Sequence, residues 1–272
     1  MKLSEIYKIA DQIAPKTLSD ELCAKYGAYD NSGVLVDTGE DVNGILFTLD
    51  LTFAAIDEAI ERGVKLIITH HPVIYGRISD IRDSDDKLLG KKLVRCIANG
   101  ISIISMHLNL DVAQDGIDES LMNGILRSAG ETTGAGTRSV AKMQEVSQGA
   151  YGRVYDVKPT SLGTLCENMK AVFSSDRIQV YGDKNQAVCR VGSFCGAGGD
   201  ENGVQFAKKQ GADVIVSSDF KHHVLVMAQE MGLAVIVLTH YASENYGFKK
   251  YYEKMGQAVG IPCYFHTDDN LL

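Results

Sequence analysis

Short apolar runs alternate with amphipathic helical patterns along this chain, and this alternation restricts its fold more than any other feature. The runs end in small or polar residues, which is typical of strands buried on both faces. Because helical patterns with short connections separate most of them, right-handed crossovers and mostly parallel sheets are expected. The sequence therefore predicts an α/β fold. Its strands are predicted at 42–49, 64–69, 101–106, 148–157, 177–181, 187–194, 213–217 and 233–238, and its helices at 3–13, 53–62, 86–99, 117–129, 161–173, 204–210 and 224–231.

A Gly/Thr-rich stretch at 130–138 has no periodicity and predicts a linker. A chain of 272 residues can fill one large domain or two of about 100–150 residues each, and the linker favours two. A second α/β module is therefore expected to start at this stretch.

Charge and cysteine usage argue against several classes of protein. Lys and Arg total 27 while Asp and Glu total 35, so the net charge is −8 and binding to nucleic acid is not expected. No apolar run approaches the ~18–20 residues that span a bilayer, so no membrane association is expected. The six cysteines show no Cys-x-x-Cys spacing, which predicts reduced thiols in a cytoplasmic protein and argues against a zinc-thiolate site.

The histidines are unevenly distributed. Six of the seven lie within a few residues of the carboxyl end of a predicted strand, and only His266 lies elsewhere. In open α/β sheets this edge binds ligands, so residues far apart in sequence are expected to converge there. The six are His70, His71, His107, His222, His223 and His240.

The first pair, His70 and His71, precedes Pro72, which favours an extended backbone. Adjacent side chains diverge on an extended backbone, so each imidazole can reach a different metal ion. The alternative is a pair of turn histidines, one packed and one in solvent.

Further metal-ligand types follow two other strands. Asp111 lies four residues after His107, and its carboxylate can bridge two divalent cations; the alternative is a helix cap or a turn residue. His240 and Glu244 share a face if a helix starts after Leu238, where they form either a metal clamp or a surface ion pair. This nitrogen and oxygen set suits Zn, Mn, Fe, Co or Ni.

Two segments of the second module contain candidate binding residues that are not predicted to be metal ligands. Lys221 and His223 follow the strand at 213–217, and a lysine beside a dication is unfavourable unless an anionic substrate lies between them. They are therefore predicted on the substrate side, with a solvated helix start as the alternative. The glycines of Gly196–Gly199 either cradle a phosphate or form a tight turn, and the incomplete Gly-x-Gly-x-x-Gly pattern favours the turn.

Seven stretches make the chain resemble the GTP cyclohydrolase I type 2 homologs, also called the Nif-three-like or YbgI/YqfO family. They are Tyr29–Gly33, Thr48–Thr52, Ile67–Pro72, His107–Asp111, Val191–Gly199, Asp219–His223 and Thr239–Glu244. The resemblance covers essentially the whole chain. It implies two metal ions per chain held by His70, His71, Asp111, His240 and Glu244, with His107 close by.

The resemblance also implies an architecture and an assembly. Residues 1–129 and 238–272 would form the metal-binding α/β module, and residues 130–237 a second module inserted into it. The metal site would lie at the carboxyl ends of the strands, and the chains would assemble as a homohexameric toroid.

Two functions remain open at this point. The first is a dinuclear metal-dependent hydrolase for a small phosphorylated or nucleotide-like substrate, in which His107, His223 and Lys221 handle protons or substrate. The family label implies a GTP cyclohydrolase-like reaction. The second is a metal-handling or regulatory oligomer without turnover.

Overall fold

The computed structural model describes residues 1–131 and 139–272, so most of the predicted linker lies outside the described residues. The helices are α1 Leu3–Ile13, α2 Lys16–Tyr26, α3 Phe53–Glu61, α4 Leu88–Ala98, α5 Leu108–Val112, α6 Ile117–Ser128, α7 Leu162–Phe173, α8 Glu201–Lys209, α9 His222–Glu230 and α10 His240–Val259. The strands are β1 Gly33–Val36, β2 Ile45–Thr48, β3 Leu66–Thr69, β4 Ser102–Ser105, β5 Val140–Val146, β6 Gly149–Ser161, β7 Gln179–Tyr181, β8 Ala187–Ser193, β9 Val214–Ser217, β10 Ala234–Val237 and β11 Cys263–Phe265.

The chain divides into two compact units, each made of two segments. Unit 1 comprises Met1–Ala113 and Phe248–Thr267, and unit 2 comprises Gln114–Gly247 and Asp268–Leu272. The module boundaries predicted from the sequence, at 130 and 238, differ from these limits. The organisation into a module and an inserted module stays a prediction.

Unit 1 contains a five-stranded sheet in the order β1-β4-β3-β2-β11. Its central strands β2, β3 and β4 run parallel and are buried along their whole length. This burial explains their continuous apolar sequences, because both faces of a parallel sheet are covered. Only β1, at one edge, is antiparallel to its neighbour.

The C-terminal strand of the chain returns to the sheet of unit 1. β11 pairs in parallel with β2, and Phe47 of β2 packs against Phe248, Tyr251 and Tyr252 of α10 at ring distances of 5.4–6.3 Å. Burial of these aromatic rings contributes to the core of the unit. The predicted α/β fold is confirmed.

Unit 2 contains a six-stranded sheet in the order β5-β6-β8-β9-β10-β7. The inner strands β8, β9 and β10 are parallel, and antiparallel strands flank them on both sides. The predicted cap of α7 is observed, since Ser161 accepts a hydrogen bond from the Thr164 N–H at 3.1 Å. Helix α8 begins at Glu201, ahead of its predicted start at 204, and its cap Asp200 accepts a hydrogen bond from the Gly203 N–H at 2.8 Å.

Within the described ranges, no helix is both long and apolar enough to cross a lipid bilayer.

Candidate metal centre

The register of unit 1 aligns the carboxyl ends of its three parallel strands. Thr48 pairs with Thr69, and Thr69 pairs with Ser105, so all three strands end on one line. The Thr69 hydroxyl contacts Ser105 Oγ at 2.7 Å and donates to the His71 carbonyl at 2.8 Å. The residues that follow the strands therefore lie side by side, as predicted for the ligand-binding edge of an α/β sheet.

His70 is fully buried at this edge, and each of its ring nitrogens faces an oxygen atom. Its Nδ1 donates to the Met106 carbonyl at 2.7 Å, and its Nε2 lies 3.5 Å from Asp111 Oδ1. Asp111, which is 4% exposed, lies on the short helix α5. The predicted placement of a histidine beside this carboxylate is observed within unit 1.

Two further histidines of unit 1 use Nδ1 to bind an aspartate. His71 Nδ1 lies 2.8 Å from Asp50 Oδ1, and His107 Nδ1 lies 2.9 Å from Asp30 Oδ1. Burial works to raise the pKa of Asp30, but hydrogen bonds from His107 and Ser32 outweigh it and hold that pKa well below its usual range. Asp30 is therefore a carboxylate that accepts a hydrogen bond from His107 Nδ1.

One group in unit 1 has the composition of a metal site. Single ligand atoms of His70, His107 and Asp111 all lie within 4.8 Å of one another. His107, predicted as a proton-transfer group near the ligands, is thus close enough to be a ligand itself.

Unit 2 has a histidine between two carboxylates at the ends of its own parallel strands. β9 ends at Ser217 and β10 at Val237, which are paired, and Asp219 and His240 follow them. Asp219 Oδ2 lies 2.5 Å from His240 Nδ1, and His240 Nε2 lies 3.1 Å from Glu244 Oε1 one helical turn further along α10. Asp219 has a φ of 56°, a left-handed backbone conformation that is uncommon for residues other than glycine.

The hydrogen bonds at Nδ1 determine which ring nitrogen carries the proton in His70, His71, His107 and His240. Their partners are carbonyl and carboxylate oxygens, which only accept, so Nδ1 is the donor. In a neutral ring the lone pair is then on Nε2. In His70 and His240 that lone pair faces a carboxylate oxygen, at 3.5 and 3.1 Å.

A metal ion fits this arrangement. Two acceptor atoms so close together repel each other unless a proton or a cation lies between them. Two ligands of one ion, each bound at about 2.0–2.2 Å, are themselves roughly 3 Å apart. The anchoring of Nδ1 by an oxygen acceptor is also the usual arrangement around a metal-bound histidine.

A glycine turn packs against the histidine and glutamate of unit 2. Gly196 has a φ of 54°, and a Cβ added there would overlap Glu244 Oε1 and lie 3.3 Å from His240 Nε2. The Gly196 N–H donates to Ser243 Oγ at 3.2 Å. The stretch Gly196–Gly199 is thus the predicted tight turn, and its first glycine makes room for the Glu244 carboxylate.

A buried ion pair holds the residue before this turn. The Cys195 N–H donates to Asp118 Oδ1 at 3.2 Å, and the Gly152 N–H donates to Asp118 Oδ2 at 3.1 Å. Asp118 also pairs with Arg153, and both side chains are at most 3% exposed. This pair fixes the backbone on which Gly196 approaches Glu244.

Lys221 and His223 lie at the exposed start of α9. Lys221 is the N-terminal boundary residue of the helix, and His223 Nε2 lies 2.7 Å from Glu201 Oε1 in an exposed pair. Their predicted action on the substrate stays a prediction.

The sequence-based reading missed the three aspartates that orient histidines, Asp30, Asp50 and Asp219. Asp50 and Asp219 each follow a buried strand by two residues, so the rule that located the histidines also applies to them. Asp30 has no such signal, because it reaches His107 from a loop 77 positions earlier.

Imidazole and carboxylate side chains at the carboxyl ends of parallel strands define an α/β protein with a candidate metal centre. The chain belongs to the Duf34/NIF3 (NGG1p interacting factor 3) family, whose profile matches residues 1–270. It is 32% identical over 249 residues to a Clostridium acetobutylicum protein named GTP cyclohydrolase 1 type 2 homolog, covering 90% of this chain and 85% of that protein.

Other comparisons agree with this membership. A Clostridium perfringens protein of the same name is 32% identical over 247 residues, covering 90% of this chain and 87% of that protein. The fold is shared with the crystal structure of a Bacillus cereus protein related to NIF3, at a TM-score of 0.77 and 20% identity. That alignment covers 98% of this chain and 96% of the other.

Replacing Asp219 by alanine is expected to weaken metal binding about 10- to 100-fold, because His240 loses the acceptor that orients its ring. Titration of the metal-free protein with Zn²⁺ or Mn²⁺ measures this change. Glu201→Gln is the matched control, since it alters a carboxylate paired with the exposed His223. Equal affinities for wild type and Asp219→Ala would contradict a ligand role for His240.

Proposed function

We propose that this protein is a dinuclear metal-dependent hydrolase acting on a small phosphorylated or nucleotide-like substrate. Two divalent ions per chain would be held by His70, His71, Asp111, His240 and Glu244. The observation that carries this proposal is the anchoring of Nδ1 by an oxygen acceptor in four histidines, which leaves Nε2 of each ring as the atom that can bind a metal ion. These histidines are His70, His71, His107 and His240.

The donor set has the chemistry for such ions. Imidazole nitrogens and carboxylate oxygens suit Zn, Fe, Mn, Co or Ni. Asp111 would contribute its carboxylate to holding both ions. Divalent ions in a site of this kind lower the pKa of a bound water and stabilise negative charge that develops on the substrate.

Side chains of this protein would supply the remaining steps. His107 donates through Nδ1 to Asp30, so its Nε2 is the atom that can accept a proton and pass it on. Lys221 and His223 at the start of α9 would bind anionic groups of the substrate.

Two further properties belong to the proposal. The name of the clostridial relatives supports a nucleotide as the substrate class, and the family resemblance supports a homohexameric toroid. The six cysteines lie in the part of the chain that the structure describes and form no disulfide bond there, which supports a reducing compartment such as the cytoplasm.

Metal analysis of variants from both units tests the centre. Wild-type protein purified without added metal is expected to contain about two ions per chain, as a dinuclear site requires. Because the ions share ligands, His70→Ala and Glu244→Ala should each lower the content of both ions. His266→Ala is the control, since this histidine pairs with Glu58 and lies outside the ligand set.

Release of phosphate or formate from a nucleotide panel is measured on the same samples. Turnover that is lost together with the metal supports the hydrolase. Two ions without turnover would favour the metal-handling oligomer instead. Loss of a single, different ion in each variant would replace the shared centre by two separate sites, and a wild type that binds no metal after reconstitution would overturn the assignment.

A further inference from the structure

Two exposed tyrosines of unit 1 form an edge-to-face pair. The ring centres of Tyr29 and Tyr75 are 5.2 Å apart with an angle of 81° between their planes. Tyr29 is 55% exposed and Tyr75 is 53% exposed. Grouped aromatic surface left in water is typical of a binding site, whereas scattered single apolar residues are not.

The two loops that carry these rings are tied to each other. Asn31 Nδ2 donates to the Ile74 carbonyl at 2.5 Å, and the Tyr75 hydroxyl contacts the Tyr29 carbonyl at 3.4 Å. These bonds limit the movement of both loops, so the rings are held in place before any ligand arrives.

The same loops carry part of the candidate metal centre. Asp30, next to Tyr29, orients His107, and His71 lies four residues before Tyr75. The ring of Tyr75 is 6.3 Å from that of His107, at an angle of 84°. A ligand in contact with Tyr75 is therefore within a few ångströms of a candidate metal-binding histidine.

We infer that Tyr29 and Tyr75 bind the planar base of a nucleotide whose phosphate end is turned toward His107 and His71. The rings stand nearly perpendicular, so a flat ligand stacked on one presents its edge to the other, and both arrangements are favourable for aromatic groups. Stacking on aromatic side chains tolerates different bases, because every base has a π-face. The inference rests on the proposed function and names the substrate class of the same site.

Calorimetric titration of the metal-loaded protein with AMP, GMP and ribose 5-phosphate tests this assignment. Both nucleotides should bind more tightly than ribose 5-phosphate. Tyr75→Ala and Tyr29→Ala should each weaken nucleotide binding about 5- to 100-fold and leave ribose 5-phosphate binding unchanged. Tyr75→Phe, which keeps the ring and loses only the hydroxyl contact to the Tyr29 carbonyl, should bind nucleotide more tightly than Tyr75→Ala.

Metal content and oligomeric size of each variant are measured in parallel. Unchanged metal content separates this inference from the proposed function, because it reports on the ions and the titration reports on the base. AMP and GMP binding no tighter than ribose 5-phosphate would overturn the inference, as would tyrosine-to-alanine variants that bind nucleotide like wild type. Dissociation of the assembly in Tyr75→Ala would also overturn it and assign the pair to an interface between copies.

Discussion

Replacing Arg153 by leucine is expected to lower the free energy of unfolding by about 3–5 kcal/mol. The change leaves the Asp118 carboxylate in the interior of unit 2, where it is fully buried and no longer faces a positive charge. Two backbone N–H groups, of Cys195 and Gly152, are too few to offset that cost. Urea denaturation followed by circular dichroism measures the change.

Lys25→Met is the control for this measurement. It removes a Lys–Glu pair with a separation of 2.5 Å, but the lysine side chain is 51% exposed. Exposed pairs contribute only about 0–1 kcal/mol, so the control should unfold almost like wild type. If Arg153→Leu were no less stable than Lys25→Met, the buried pair would not hold the turn at Cys195.

Replacing Gly196 by alanine should remove most of the bound metal while the protein remains folded. The added Cβ would occupy the position of Glu244 Oε1, and the buried carboxylate has to move away from His240. The positive φ adds about 1–2 kcal/mol of strain. Metal content per chain and the denaturation midpoint report the two effects separately.

Gly211→Ala separates strain from displacement. Gly211 also has a positive φ, 75°, but no atom lies within 4 Å of an added Cβ. The Gly211→Ala variant should lose roughly the same 1–2 kcal/mol of stability through backbone strain, and it should keep its metal. A Gly196→Ala protein with the metal content of the Gly211→Ala control would show that Glu244 is not a ligand.

The parallel strands could be predicted from the sequence because strands buried on both faces are short, mostly apolar runs. For β2, β3 and β4 the predicted ends lie within a few residues of the observed ends. β1 and β11 lie at the two edges of the sheet and are only partly buried, so their formation depends on pairing with β4 and β2. Local sequence carries little information about such pairing.

The candidate site, like the fold, was predictable only in part. Histidines and carboxylates that follow buried strands could be placed at one sheet edge from topology alone. Which aspartate orients which imidazole could not be predicted in this way. Asp50, for example, lies beside His71 only because the sheet register pairs Thr48 with Thr69. Register and loop position are properties of the folded sheet, and the orienting aspartates depend on both.

His70 differs from the other three histidines in the group that holds its ring. Its acceptor is the main-chain carbonyl of Met106, which every residue type at that position supplies. His71, His107 and His240 depend instead on aspartate side chains, which one nucleotide change can remove. As this gene diverges, the orientation of three imidazoles depends on aspartate codons 21 to 77 positions away from the histidine codons. The orientation of His70 does not depend on the identity of any second side chain.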